Sequence, residues 1–426
     1  MPTTTKKGKP MIRKRRTMLG VFATASAMLL AAGCGSSKSD GGSATASGKA
    51  NKTITVGVLT DVTGPASSGN KTFVDGVEAG VVYAARNGYT IKTVVADTAT
   101  NPTTALTAAQ KLVTQDHVSV VFGQSAIFFT ASNYLTAHNV PVIGMSEDGP
   151  EWITAKNMFS VAGPLQQTKV AETTGKLFKL LGVTNVAALG YGISPVSAES
   201  AASGAASAEV AGLKVSYLNA KFPFGSTDVG PEVLAMKAAG IDGLYPTVDP
   251  NTAFALVTGL RNQGVDLKAA LLPTGYGGDL LQAGQGALNQ AQGVYFTLGY
   301  EPIEMQTAAT KQLQADFKSA GITEAPTYAA YNGYVSTGLL VRALKANGGN
   351  TAAASIIGSL SNIHDWDAMG LFGSHKADIN DRVNIVGGAD NCIWVTKLEG
   401  NEFTLVKGAT PICGALVPGK TVAAAS

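Results

Sequence analysis

Short apolar runs that alternate with helical stretches are the feature that most constrains the fold of this chain. In its first part the runs are rich in Val and Ile and lack an alternation of apolar and polar residues: TITVGVL, IKTVVAD, VSVVFG and VPVIG. Such strands are typical of a parallel sheet with both faces covered by helices. Helical patterns lie between them, at 72–87, 102–115 and 127–137. The pattern predicts an α/β domain.

The same alternation then repeats. Five further apolar runs predict strands: NVAALG, LKVSYL, DGLYPT, KAALLP and QGVYFTLG. Five helical patterns accompany them, at 165–181, 196–211, 229–239, 251–263 and 279–289. Two α/β lobes in series are the simplest interpretation, and about 370 residues suffice for two sizeable cores.

The pattern changes after Tyr300. Three helical stretches, 307–320, 328–347 and 352–361, follow with hardly a strand between them, so we expect them to pack on a sheet that already exists. Residues 392–406 alternate on either side of a Glu-Gly-Asn turn and predict a β-hairpin.

The N-terminal region has the layout of a secretory signal. Seven basic residues and no acid lie between Lys6 and Arg16, and the next stretch, to Ala32, is apolar or small. The small residues before Cys34 are similar to the bacterial lipoprotein cleavage box, which predicts removal of residues 1–33 and lipid attachment at Cys34. An ordinary secretion signal with an incidental thiol is the alternative. Residues 34–52 are predicted to form a flexible tether.

Charge argues against nucleic acid as a partner. All seven charges in the predicted signal are basic, so its removal takes the formal net charge from +3 to −4. The sequence also lacks a G-x-S-x-G nucleophile elbow and an H-E-x-x-H motif. His364 and His375 lie near Asp365 and Asp367, but a polar loop is the simpler interpretation. We therefore predict neither an enzyme nor a cofactor or metal.

Three segments resemble the type I periplasmic binding proteins, in the branch that includes the leucine/isoleucine/valine-binding proteins of ABC importers. Residues 54–88 are similar to that family's first strand, Thr-Gly-Pro loop and first helix. Residues 94–123, with Asp97 and the Asn101-Pro102 pair, are similar to its second βαβ unit, and residues 397–408 to its closing hairpin. The match keeps the family's order over essentially the whole chain beyond the tether.

The resemblance implies two Rossmann-like lobes with parallel central sheets, joined by three hinge crossings around a ligand cleft. We expect the crossings near 162–166, 298–303 and 370–375. The predicted divisions are 53–163 plus 302–371 for lobe 1, 164–301 plus 372–415 for lobe 2, and 416–426 for a C-terminal tail.

In the first lobe the ligand residues should follow the ends of parallel strands, where helix N-termini offer free N–H groups. The resemblance implies that Ser125 holds a ligand carboxylate, with Gln124 and Ala126 as substitutes; a helix cap is the alternative role for Ser125. Ser146 and Glu147 follow the next strand. Asp148, also a candidate ligand residue, stands where the family has a ligand-binding Thr. Beside a ligand carboxylate it would face away, cap a helix or bind a cation, and capping is the favoured role.

In the second lobe the resemblance implies that Tyr191 forms an aromatic wall, with Ser194 or Ser197 as alternative contacts. Val248, Asp249 and Tyr276 follow the next two strands, and neither Val248 nor Tyr276 is the family's usual residue. The acid that binds an α-ammonium is missing near Tyr276. Asp249 or Asp148 could replace it through a charge-assisted hydrogen bond. Otherwise the pocket would suit an organic acid, an amide or an aromatic compound.

Cys392 and Cys413 would lie outside the cytosol if the chain is exported. Their pairing would close a loop of about 20 residues and contribute roughly 3 kcal/mol. Two unreactive buried thiols are the alternative.

Together these features predict a monomeric lipoprotein on the outer face of the cytoplasmic membrane. It would capture an amino acid, an amide or an organic or aromatic acid and deliver it to an ABC permease. A ligand-presenting sensor for a membrane receptor is the alternative, and an enzyme on the same fold is a further one.

Overall fold

A computed structural model describes residues 52–282, 284–384 and 388–425. The predicted signal, Cys34 and all but the last residue of the predicted tether lie outside these ranges. Within them, no helix is both long and apolar enough to span a membrane.

The first lobe is built on a five-stranded parallel sheet in the order β2-β1-β3-β4-β5. Every residue of the central strand β3 is buried, because helices cover both faces of the sheet. The strands are β1 (Lys52–Thr60), β2 (Tyr89–Asp97), β3 (Val120–Gln124), β4 (Val142–Gly144) and β5 (Met158–Ser160). The helices between them are α1 (Ser67–Asn70), α2 (Phe73–Arg86), α3 (Pro102–Thr114), α4 (Phe129–Ala137) and α5 (Glu151–Thr154).

The second lobe contains a larger sheet, in the order β13-β12-β11-β10-β9-β7-β8. A short strand, β6 (Lys169–Ala171), precedes it. Its parallel strands are β7 (Asn185–Tyr191), β8 (Lys214–Phe222), β9 (Gly243–Thr247), β10 (Ala269–Leu272) and β11 (Tyr295–Leu298). The helices are α6 (Thr173–Leu180), α7 (Pro195–Val210), α8 (Gly230–Ala238), α9 (Pro250–Asn262), α10 (Gly278–Gln282) and α11 (Gln285–Ala291). The α/β class and parallel sheets predicted from the apolar runs are therefore confirmed.

Three later helices, α12 (Ala308–Ser319), α13 (Tyr328–Ala346) and α14 (Ala353–Leu360), complete the first lobe. As predicted, they form no sheet of their own: α12 and α13 pack on α2. Glycines allow the close crossing of α2 and α13, since a Cβ on Gly76 would lie 1.9 Å from the carbonyl oxygen of Ala330.

The predicted hairpin is present as β12 (Cys392–Glu399) and β13 (Glu402–Leu405), which continues the second sheet in antiparallel pairing. A short strand, β14 (Ile412–Cys413), pairs with the other edge of β12, and a disulfide joins Cys392 to Cys413. The last strand, β15 (Leu416–Thr421), pairs with β6. Short 3₁₀ turns lie at Ile303–Met305, Ala368–Gly370 and Ala389–Asn391.

The chain passes between the two sheets more than once. It leaves the first sheet after β5, enters the second at β7, and returns to the first lobe between β11 and α12. Arg382, near the end of this return, donates hydrogen bonds to the carbonyl oxygens of Trp152, Ile153 and Ala155 around α5. The lobe limits proposed from the sequence remain predictions.

Candidate functional site

A cavity of about 270 Å³ lies between the two lobes. Its first-lobe wall comes from the α1 region, the loops after β3 and β4, and the start of α13; it includes Ala66, Asn70, Ala126, Ser146, Glu147 and Tyr328. Its second-lobe wall comes from the loops after β7, β8, β9 and β10, and includes Tyr191, Ser194, Phe224, Val248, Asp249 and Thr274. The carboxyl ends of parallel strands thus face each other across the cavity.

The loop after β3 is occupied by a carboxylate of the chain itself. Ser125 Oγ donates to Asp61 Oδ1 over 2.7 Å, and the backbone N–H of Ala126 donates to Asp61 Oδ2 over 2.9 Å. Asp61 also accepts a hydrogen bond from Asn70 Nδ2 at 2.8 Å and one from the hydroxyl of Thr98. Ala126 lines the cavity, whereas Ser125 is fully buried behind it. The structure thus pairs the predicted carboxylate donors with Asp61.

Among the described residues, Glu147 is the carboxyl group on the first-lobe wall, beside the small side chain of Ser146. Gln124 Nε2 donates to Glu147 Oε2 over 3.1 Å and to Asn70 Oδ1 over 3.0 Å. Burial and, to a lesser extent, the negative charge of Asp61 raise the pKa of Glu147 to about 8. This carboxyl can therefore exchange a proton close to neutral pH.

Asp148 does not line the cavity, although it follows Glu147 directly. Its side chain is fully buried and accepts hydrogen bonds from the backbone N–H of Phe129, in the first turn of α4, and from Trp152 Nε1 at 3.0 Å. Burial raises its pKa well above the ordinary value, and Glu151 adds to the effect. The carboxylate of this candidate ligand residue thus faces α4 and Trp152 and not the cavity.

In the second lobe, Tyr191 lies on the cavity wall with its ring against Phe224, at a centroid distance of 4.8 Å. Its hydroxyl donates to the carboxylate of Asp249 and lies 2.8 Å from Thr252 Oγ1. Asp249 lines the cavity too, but its Oδ1 accepts the backbone N–H groups of Asn251 and Thr252 and caps α9. Val248 adds an apolar surface between them.

Tyr276 lies outside the cavity, in the core. Its side chain is 2% exposed, its hydroxyl donates to Glu304 Oε2 over 2.8 Å, and its ring centroid lies 4.7 Å from that of Phe403. The loop turns at Gly275, whose φ of 92° is a left-handed conformation. In this loop Thr274 lines the cavity in place of Tyr276.

The cavity extends beneath α7, where the sequence indicated only Ser197 as a possible contact. Between Val196 and Val210 this helix has no large apolar side chain. Gly204 lies so close to Tyr245 that an added Cβ would meet the ring at 2.4 Å. Four serines of α7 line the extension, Ser197, Ser200, Ser203 and Ser207. The run of small residues in the sequence was the available signal.

Several further residues of the site were not predicted from the sequence, among them Asp61, Asn70 and Tyr328. Asp61 directly follows β1, so the rule that selected Ser125 also applies to it. Tyr328 comes from the first turn of α13, far along the chain, and nothing local in the sequence indicates its place.

His364 and His375 do not pair with Asp365 and Asp367, the acids noted near them in the sequence. His364 Nδ1 lies 2.8 Å from Asp378 and His375 Nδ1 lies 2.9 Å from Asp390, whereas Asp365 pairs with Arg342. His375 also lies close to Cys392 and Cys413, but the disulfide removes their thiolates as metal ligands.

Comparison with known proteins places this geometry in a family. A family model described as "Periplasmic binding protein" matches residues 53–402. No curated protein matches the chain.

Solved structures share the fold at low sequence identity. A solute-binding protein of an ABC transporter from R. palustris, in complex with 4-hydroxybenzoate, is 17% identical, with a TM-score of 0.68 over 83% of this chain and 96% of that one. The branched-chain amino acid binding protein LivJ from Streptococcus pneumoniae, in complex with isoleucine, is 20% identical, with a TM-score of 0.68 over 86% and 99%. The leucine-binding protein LivK from Thermotoga maritima is 17% identical, with a TM-score of 0.67 over 83% and 97%.

The family match over most of the chain agrees with the fold, in which two parallel sheets face one cavity. This chain belongs to the periplasmic binding protein family, and its two lobes with parallel central sheets have the type I fold.

Proposed function

We propose that this chain is the substrate-binding lipoprotein of an ABC importer. It captures an amino acid or a related small polar or organic-acid ligand between its lobes and delivers it to a membrane permease. The observation that carries this proposal is the cavity lined from both lobes, by Glu147 on one side and Tyr191 on the other. A ligand there gains its full set of contacts only when the lobes are closed, so it favours closure.

Contacts between the lobes outside the cavity support a hinged closure. Lys71 Nζ lies 3.7 Å from Asp279 Oδ1, and both side chains are partly exposed. Such a pair contributes little by itself, so it can break and reform as the lobes move.

The membrane location is a further part of the proposal. Cys34 carries the lipid, and residues 34–52 form the tether that keeps a monomeric binding protein within reach of the permease. A Cys34→Ser variant should leave the membrane fraction and still bind ligand in solution. Its retention in the membrane would point to an uncleaved anchor instead.

Mass spectrometry of small molecules that co-purify with the protein is the direct test. We expect one bound molecule for each chain, and a radius of gyration that falls when this molecule is added back to stripped protein. Steady turnover of the bound compound would contradict a binding role. Retention of the compound by a membrane receptor, with no uptake into vesicles carrying the permease, would favour the sensor.

A further inference from the structure

We infer that the cavity takes an amine: a ligand with a cationic nitrogen on an apolar or aromatic body and no carboxylate against the first-lobe loops. This inference rests on the proposed function and specifies its substrate class. It departs from the hydroxybenzoate and isoleucine of the solved relatives.

The first step of the argument is the occupied anion position. Ser125 Oγ and the N–H of Ala126, the two donors of the loop after β3, both donate to Asp61. Asp61 is fully buried and accepts four hydrogen bonds, so it is held firmly in that place. A ligand carboxylate would find these donors in use and a negative charge beside them.

The second step is the charge of the wall. Among the described residues that line the cavity there are two acids, Glu147 and Asp249, and no Lys, Arg or His. An anionic ligand would have no cation to neutralise it, and burying a charge without a partner is costly. A cationic ligand, in contrast, would find carboxyl groups on the wall to neutralise its charge.

The third step is the supply of acceptors. Glu147 Oε2 accepts a hydrogen bond from Gln124, and a carboxylate offers further lone pairs. An ammonium group brings three donors and no acceptor, which suits this surplus. Asp249 already caps α9 and accepts the Tyr191 hydroxyl, so Glu147 is the partner that we assign to the amine.

The rest of the wall fits the body of such a ligand. Four aromatic rings line the cavity, those of Tyr191, Phe224, Tyr245 and Tyr328, and Val248 adds an apolar surface. Aromatic faces attract cations as well as apolar groups. Burial and the charge of Asp61 also favour the protonated form of Glu147, so a bound amine should displace that proton.

A matched panel tests the charge preference in the wild-type protein. Benzylamine, benzamide and benzoate share one skeleton; isoamylamine, isovaleramide and isovalerate share a second, and a small-molecule extract of bacterial cells supplies other shapes. Calorimetry on the panel and mass spectrometry on the extract identify what binds. We expect each amine to bind at least about tenfold more tightly than its carboxylate, and the captured compound to be an amine.

Failure of the amine inference and failure of the binding function would give different results in this test. A carboxylate that binds most tightly and lowers the radius of gyration overturns the amine inference and leaves the binding function standing. If no compound from the panel or the extract binds, the proposed function falls and the inference falls with it.

A second experiment examines the occupied anion position directly. In an Asp61→Ala variant, Ser125 Oγ and the Ala126 N–H lose their acceptor, so acetate should fill the space and raise the melting temperature more than chloride does. Asp97→Ala is the matched control, since Asp97 also accepts several loop hydrogen bonds but its donors are the N–H groups of Val62, Thr63 and Ala99 and not those of the loop after β3. Acetate should raise the melting temperature of neither Asp97→Ala nor wild type. Equal responses in all three proteins would overturn this step, and the wild-type panel decides the inference if Asp61→Ala does not fold.

Discussion

The backbone N–H of Val196 donates to the carbonyl oxygen of Asp148 over 3.2 Å, and this bond joins the second lobe to the first. Ser194 Oγ donates to the same oxygen over 3.3 Å, and it also accepts the N–H of Ser197 as the N-cap of α7. Ser194 lines the cavity. The start of α7 is therefore at once a helix cap and a contact that holds the cavity closed.

This double role predicts different effects for two substitutions at Ser194. Asp caps a helix as well as Ser does, but its carboxylate cannot donate to the Asp148 carbonyl and repels it. Ser194→Asp should shift the ligand-free protein towards an open form, seen by X-ray scattering as a larger radius of gyration. Ser194→Asn keeps both an acceptor and a donor and should scatter like wild type. Identical curves for the two variants would show that this contact does not control closure.

The fold was predictable because its signal is local. Uninterrupted Val- and Ile-rich runs such as residues 118–123 are those of strands covered on both faces. The close approach of α2 and α13 was not predictable, because it joins residues more than 250 positions apart.

That close approach makes a sharp prediction for Gly76. A Cβ there would lie 1.9 Å from the carbonyl oxygen of Ala330, which is backbone and cannot rotate away. Gly76→Ala should therefore lower the free energy of unfolding by about 3 kcal/mol or more. Chemical denaturation measures it.

Gly358 in α14 is the matched control. It is a helical glycine with nothing within 4 Å of an added Cβ. Gly358→Ala should stabilise the protein by about 0.5 to 1 kcal/mol, because Ala loses less backbone entropy in a helix. If both variants lose stability, the loss in Gly76→Ala cannot be assigned to its clash with Ala330.

The site was less predictable than the fold because strand ends locate loops and not the directions of their side chains. The expectation that ligand residues follow the ends of parallel strands selected six residues that line the cavity: Ala126, Ser146, Glu147, Tyr191, Val248 and Asp249. It also selected Ser125 and Tyr276, whose side chains turn to Asp61 and Glu304. Those directions depend on partners from distant segments, which no local pattern reveals.

The disulfide between Cys392 and Cys413 gives a third prediction. It closes a loop with a sequence separation of 21 and fixes β14 against β12. A Cys392→Ala, Cys413→Ala double variant should lose roughly 3 kcal/mol of unfolding free energy, since its unfolded chain has more freedom. A reductant should lower the stability of wild type to a similar degree and leave the variant unchanged. Cys34 is present in both proteins, so a reductant effect on the variant would reveal a contribution from that thiol instead.

The last prediction concerns the pH dependence of stability through Glu147. In the unfolded chain this carboxyl loses its proton near the ordinary pKa of 4.5, whereas in the folded protein it keeps the proton up to about pH 8. Between these values the folded state holds more protons than the unfolded state. The free energy of unfolding should therefore fall as the pH rises from about 4.5 to about 8, by at most about 1.4 kcal/mol per pH unit for this group.

Glu147→Gln removes the titration and keeps the shape of the side chain, so the difference between the wild-type and variant curves isolates Glu147. Asp148 and Glu151, whose pKa values burial also raises, are present in both proteins and cancel in that difference. We expect the wild type to lose stability relative to the variant as the pH rises through this window, in chemical denaturation at several pH values. Parallel curves would mean that Glu147 ionises at its ordinary pKa, and a bound amine would then have no proton to displace.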